Sequence, residues 1–174
     1  MDPSLPQWPN PAPGPTRGRQ NVLVSDSLVV IPYTAEALAD FLLEQGIEPP
    51  QSEGHPASAA QVERILHDAD WPFRRNGPSG PQDPWDVMCE QRDGRWPPLL
   101  EISQAEDGVL GFRLGPLYGP FHVAREVSRT CGPQVAVESY AAGTAVVTPA
   151  TTYDEFHRAL YDEPAPGDDH EWSS

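Results

Sequence analysis

The chain has 174 residues, 11 basic against 26 acidic, and a formal net charge of -15; every basic residue is arginine. Backbone binding to nucleic acid needs clustered basic residues to displace counterions, and the only basic run outside the body of the chain is Arg17-Gly18-Arg19, so no nucleic-acid partner is expected. No stretch approaches the roughly 18 apolar residues of a membrane span. Met1 to Pro6 has neither a basic n-region nor an apolar h-region, which predicts no secretory leader, no membrane association and a cytoplasmic protein. Residues 1–20 contain six of the chain's 22 prolines and read as an extended tail, because they cannot bury enough apolar surface to offset ordering entropy. Val22-Leu23-Val24 and Leu28 to Ile31, separated by Ser25-Asp26-Ser27, read as a short hairpin. Thr34 is placed to cap a helix carrying Leu38, Phe41 and Leu42 on one face, and Gly46 to end it.

A second helix begins with the capping box Ser58 to Gln61 and carries Val62, Ile65, Leu66 and Ala69 at helical spacing. Residues 72–84, rich in Pro and Gly, read as a loop. Three strands are then expected: Trp85 to Gln91, Pro97 to Ser103 and Val109 to Leu114. The turns between them fall at Asp93-Gly94 and Asp107-Gly108. Gly119-Pro120 opens a third helix with Ala124, Val127 and Cys131, closed by Gly132-Pro133, although Phe121 and Val123 also permit a strand. Two more strands surround Ala142-Gly143. Thr152 and Glu155 form a second capping box, ahead of a helix with Tyr153, Phe156 and Leu160 on one face. Residues 162–174 read as an acidic, disordered tail.

The fold class expected is α+β: a single domain over 21–161, with a five-stranded antiparallel sheet across 85–149 and the helices at 58–69 and 152–161 packed on it. The hairpin and helix of 21–50 stand as an addition to that core. Val29 to Thr34 and Val146 to Thr151 echo each other as strand–Pro–Thr–helix units. That pattern fits either a duplication or the shared punctuation of Pro ending a strand and Thr capping a helix.

From residue 57 the expected order is α-β-β-β-α-β-β-α. With Val62 to Leu66 running into Asp70-Trp71-Pro72-Phe73-Arg74, and Gln134 to Leu160 as a closing unit, the chain resembles the YbjN-type proteins of the type III secretion chaperone-like fold. The pattern departs from that family in the third helix, where Glu126 to Cys131 lacks the Asn and Trp often found near its end. The resemblance implies a non-enzymatic, protein-binding or regulatory role, often as a dimer, with no cofactor.

Constellations with chemical potential are few. His67 and Asp70 share a helix face, but two ligand types do not make a metal site, and the pair reads most simply as a solvated helix end. Cys131 and His122 would sit nine residues apart on one helix, about 14 Å by helical rise, too far for a nucleophile–base pair. Gly111 to Gly119 lacks the order and the lysine of a phosphate loop. Glu90 and Glu101 could face one another across a hairpin, most simply as a solvated sheet face. Cys89 and Cys131 read as small buried hydrophobes in a reducing compartment. The group that stands out is aromatic and basic: Trp71, Phe73, Arg74, Trp85 and Trp96, with Arg75, Arg92 and Arg95 close by. Trp and Arg are favoured at interaction hot spots, so these residues read either as aromatic anchors of a loop-rich core or, as the sharper expectation, as a partner-binding patch. The partner is another protein with a basic surface, or a second copy of the chain. Two functions compete: a chaperone-like or regulatory binding module, and an immunity or antitoxin-type inhibitor covering a basic toxin surface. A hydrolase is the third and least supported reading.

Overall fold

The computed structural model describes residues 28–77, 83–89, 99–113, 117–139 and 143–163. The expected tails up to residue 20 and beyond residue 163, the first hairpin strand at Val22 to Val24, the Asp93-Gly94 turn and Trp96 lie outside them. The described chain is α+β, with four helices and one antiparallel sheet of seven strands. In chain order these are β1 (Leu28–Pro32), α1 (Ala35–Glu44), α2 (Ala59–Asp68), β2 (Phe73–Arg75), β3 (Trp85–Met88), β4 (Leu99–Gln104), β5 (Leu110–Arg113), α3 (Tyr118–Cys131), β6 (Gln134–Glu138), β7 (Thr144–Val147) and α4 (Tyr153–Tyr161).

The sheet order is β2-β3-β4-β5-β1-β6-β7. It corrects the expected five-stranded sheet at two places. Phe73–Arg75, read as loop, forms the edge strand β2 and pairs antiparallel with β3. Leu28–Pro32, read as half of an added hairpin, is a central strand: Leu28 faces Phe112 of β5 on one side and Glu138 of β6 on the other. From residue 57 the order is therefore α-β-β-β-β-α-β-β-α. Because β1 is antiparallel to both neighbours, β5 and β6 run parallel to each other, and α3 joins them across the strand between them. A crossover of that kind needs a strand to fill its gap, and β1 fills it.

The pleat sends alternate side chains to opposite faces. Val30, Leu110, Phe112, Leu100, Ile102, Trp85, Val87, Ala136, Ala145 and Val147 face α2, α3 and α4, with Val62, Leu66, Phe121, Ala124, Val127 and Phe156 closing the main core from the helices. On the other face α1 places Leu38, Phe41 and Leu42 against Val135, Val137 and Val146. The two expected capping boxes are formed. Ser58 Oγ accepts from the Gln61 N–H at 3.2 Å while the Ser58 N–H donates to Gln61 Oε1 at 2.8 Å; Thr152 and Glu155 repeat the arrangement. Thr34 sits at the start of α1 but its side chain makes no capping bond; the Ala35 N–H donates instead to Glu53 Oε1 at 3.0 Å. The expected third helix is a helix, and Gly132 ends it with φ of 76°. There a Cβ would lie 2.7 Å from the Glu53 carbonyl oxygen, so the α1–α2 connection passes directly over this turn.

Candidate functional site

Of the five residues expected to bind a partner, Trp71 and Phe73 lie together at the corner where α2 runs into β2. The corner is built by the way α2 ends. Its last carbonyls are satisfied by the Asp70 N–H donating to the His67 oxygen at 3.0 Å and the Trp71 N–H donating to the Leu66 oxygen at 2.9 Å. This is a Schellman closure, and it requires the left-handed conformation at its C′ residue, which is usually glycine. Here that residue is Asp70, with φ of 55°. The reversal drops Trp71 onto the main core, 7% exposed, and starts β2 at Phe73.

His67, Asp70, Trp71, Pro72 and Phe73 line a depression of about 390 Å³ on this corner. The Phe73 ring meets His67 edge-on at 6.4 Å between centroids, and Trp71 lies 5.0 Å from the His122 ring on α3. His122 also stacks on Tyr118 at 6.2 Å. Burial among these rings pushes the His122 pKa down, opposed by the nearby Glu126 carboxylate. Arg74, the third predicted residue, turns to the opposite face of the sheet. There it reaches the buried Asp86 carboxylate at 3.6 Å across the β2–β3 pair. Directly across from Asp86 is Glu101, which pairs outward with Arg113 at 3.7 Å. The face thus carries a plus–minus–minus–plus row over four strands. The expected partner of Glu101, Glu90, lies outside the described residues.

Trp85 corrects the sequence expectation. Its ring is fully buried, in register with Ile102, and its indole N–H donates to Glu63 Oε1 at 2.9 Å. Arg75 lies over the ring at 3.8 Å and reaches the same Glu63 carboxylate at 3.4 Å. Trp85 is a core side chain and presents no surface to a partner. Trp96, Arg92 and Arg95 lie outside the described residues.

The remaining constellations are not brought together. Cys131 touches Gln61 Nε2 at 3.7 Å and Thr130 Oγ1 at 3.5 Å, whereas His122 packs on aromatic rings one end of α3 away. Cys89 is buried and desolvation pushes its thiol up to about 12. Gly111 lies in β5 and Gly119 inside α3, and Gly115 lies outside the described residues. Among those residues no group of three or more His, Cys, Asp or Glu is placed to hold a metal ion, and no helix is long and apolar enough to cross a membrane. A second depression, of about 330 Å³, lies between β7 and α4 and is lined by Val146, Thr148, Thr151, Glu155 and Ala159 among others.

What sequence reasoning missed is Asp70, which it placed on a solvated helix end. The signal was available: Leu66, Asp70 and Trp71 have the spacing of a helix closure in which Trp, at C″, packs back on the preceding turn. Comparison with protein-family models, with curated proteins and with solved structures finds no match to this chain.

Proposed function

We propose that this chain is a non-catalytic protein-binding module, chaperone-like or regulatory, that docks its partner on the α2–β2 corner. The observation that carries the reading is the depression lined by His67, Asp70, Trp71, Pro72 and Phe73: a concave aromatic patch beside a carboxylate, on a chain of net charge -15. A buried aromatic surrounded by polar rim groups is the usual composition of an interaction hot spot, and a strongly acidic chain steers basic partners. The resemblance to the YbjN-type proteins points the same way. The charge equally suits an inhibitor of immunity or antitoxin type, whose partner would be one basic toxin rather than a set of clients; the neighbouring gene product is the first candidate to test for it.

The test is capture from the native host with the tagged wild-type chain and with Phe73→Ala, both checked for an unchanged circular-dichroism spectrum. A protein enriched by the wild type and lost with Phe73→Ala supports docking at this corner, and its association should slow as added salt shortens the Debye length below its physiological value of about 8 Å. Capture that is indifferent to Phe73→Ala removes the corner from the function.

A further inference from the structure

We propose that the α2–β2 corner receives one arginine side chain of the partner, its guanidinium lying against Trp71 and Phe73 and pairing with the Asp70 carboxylate. The inference deepens the binding function proposed above and rests on it. Its first support is a completed copy of the same chemistry elsewhere in the molecule. At the next turn of the α2–β2–β3 layer a carboxylate (Glu63), an indole (Trp85) and a guanidinium (Arg75) meet, with Arg75 over the ring at 3.8 Å and 3.4 Å from Glu63. At the corner the carboxylate and the aromatic walls are present, and no guanidinium joins them among the described residues. Arg74 is held to Asp86 on the far face of the sheet. Arg75, Arg113, Arg125, Arg129 and Arg158 are each paired with another carboxylate of the chain, and Arg64 does not line the depression.

The second support is the Asp70 backbone. A left-handed residue with a side chain is held against a steric preference, a mild one for aspartate and one that Asp162 also meets at the end of α4, and glycine would close α2 without it. Backbone held in such a region is a pointer to function when it lines a candidate site. What Asp70 adds over glycine is a carboxylate on the rim of the depression, with no hydrogen-bond or ion-pair partner of its own among the described residues. The third support is charge. A chain of net charge -15 attracts cationic surfaces. Of the two cations a protein partner offers, the planar guanidinium both stacks on aromatic faces and pairs bidentately with a carboxylate, whereas an ammonium does neither as well.

The experiment is an NMR titration of the full chain with the capped tripeptide acetyl-Gly-Arg-Gly-amide. Its control is the same peptide carrying citrulline, which keeps the shape and loses the charge. Saturable shifts at residues 67 and 70–73 with the arginine peptide are expected, with binding at least about tenfold weaker for citrulline, as for loss of a charge-assisted pair. Asp70→Asn and Asp70→Gly should each lose the arginine preference. Asp70→Gly should do so with an unchanged or higher melting temperature, since it relieves the left-handed backbone; that separates lost recognition from lost folding. Equal binding of the two peptides, or arginine binding that survives Asp70→Gly, overturns the proposal while leaving an aromatic docking corner in place. No saturable shift with either peptide overturns it as well, and together with partner capture indifferent to Phe73→Ala it takes the corner's binding function down too.

Discussion

The Cys89 thiol is 1% exposed, and burial pushes its pKa up to about 12. The thiolate is the nucleophile, so Cys89 is inert at neutral pH for two separate reasons, access and protonation. Cys131 is equally buried. Iodoacetamide at pH 8 should label neither cysteine in the native chain and both in denaturant; native labelling of Cys89 would show that the β3 end opens. The same burial decides the fate of Trp85. Truncating it to alanine should cost about 3–5 kcal/mol through the cavity left behind, read as a fall in urea midpoint. Little change would mean that the ring does not hold the core. The core position of Trp85 was legible: it shares the period-two parity of Val87, and the facing strand carries Leu100 and Ile102 at the same parity. Grouping it with Trp71 and Phe73 by proximity in sequence obscured that, because neighbours in a strand-and-turn region alternate faces. Phe73 and Arg74 illustrate it, one lining the depression and the other crossing to Asp86.

Between elements, local signals were read well and long-range ones poorly. Helix starts and stops depend on residues within one turn, and α2, α3 and α4 lie where their caps and glycine put them. β1 and β2 depend on partners far along the chain: Leu28 pairs with Glu138, and β2 is only three residues long. No turn signal announces either pairing. The echo of Pro–Thr units resolves the same way. Thr152 caps α4 with its side chain, while Thr34 leaves that work to Glu53 from the next connection. β1 is central and β7 an edge, so the two units occupy different positions in the sheet. Thr152→Ala should therefore cost about 1 kcal/mol, the usual value of a lost N-cap, and Thr34→Ala much less; equal losses in thermal melts would contradict the caps seen here. The packing of α3 on α2 adds a pH dependence. Burial lowers the His122 pKa, so between its folded and unfolded values the unfolded chain binds the extra proton. The contribution is fully present above the unfolded value of about 6.5 and is lost as pH falls through the folded one. His122→Phe should flatten the decline in stability between pH 7 and 5, measured by urea unfolding across that range. An unaltered slope would assign the decline to other groups.

At the scale of the whole molecule, the position of β1 makes Leu28–Pro32 part of the fold rather than an attachment to it. The order expected from the sequence set residues 57–161 apart as a self-sufficient core, although the strand β2 adds to that order. The topology argues against autonomy. Without β1, β5 and β6 stand two strand spacings apart, about 10 Å, and run parallel, so they cannot close on each other in the antiparallel register both use with β1. Each would expose a row of unpaired backbone groups. Leu28 and Val30, 4% and 1% exposed, would leave the layer beneath α3. Each buried aliphatic side chain is worth about 1.5–3 kcal/mol, and each net backbone hydrogen bond about 1 kcal/mol. Together they rival the roughly 5–15 kcal/mol that separates a folded domain from its unfolded chain. A chain beginning at residue 57 should therefore show no cooperative melt. Adding a peptide of residues 22–50 in trans should restore one, with a midpoint that rises with peptide concentration as mass action requires. A cooperative melt of the shortened chain alone, unaffected by the peptide, would mean that β5 and β6 find another arrangement and that β1 is dispensable.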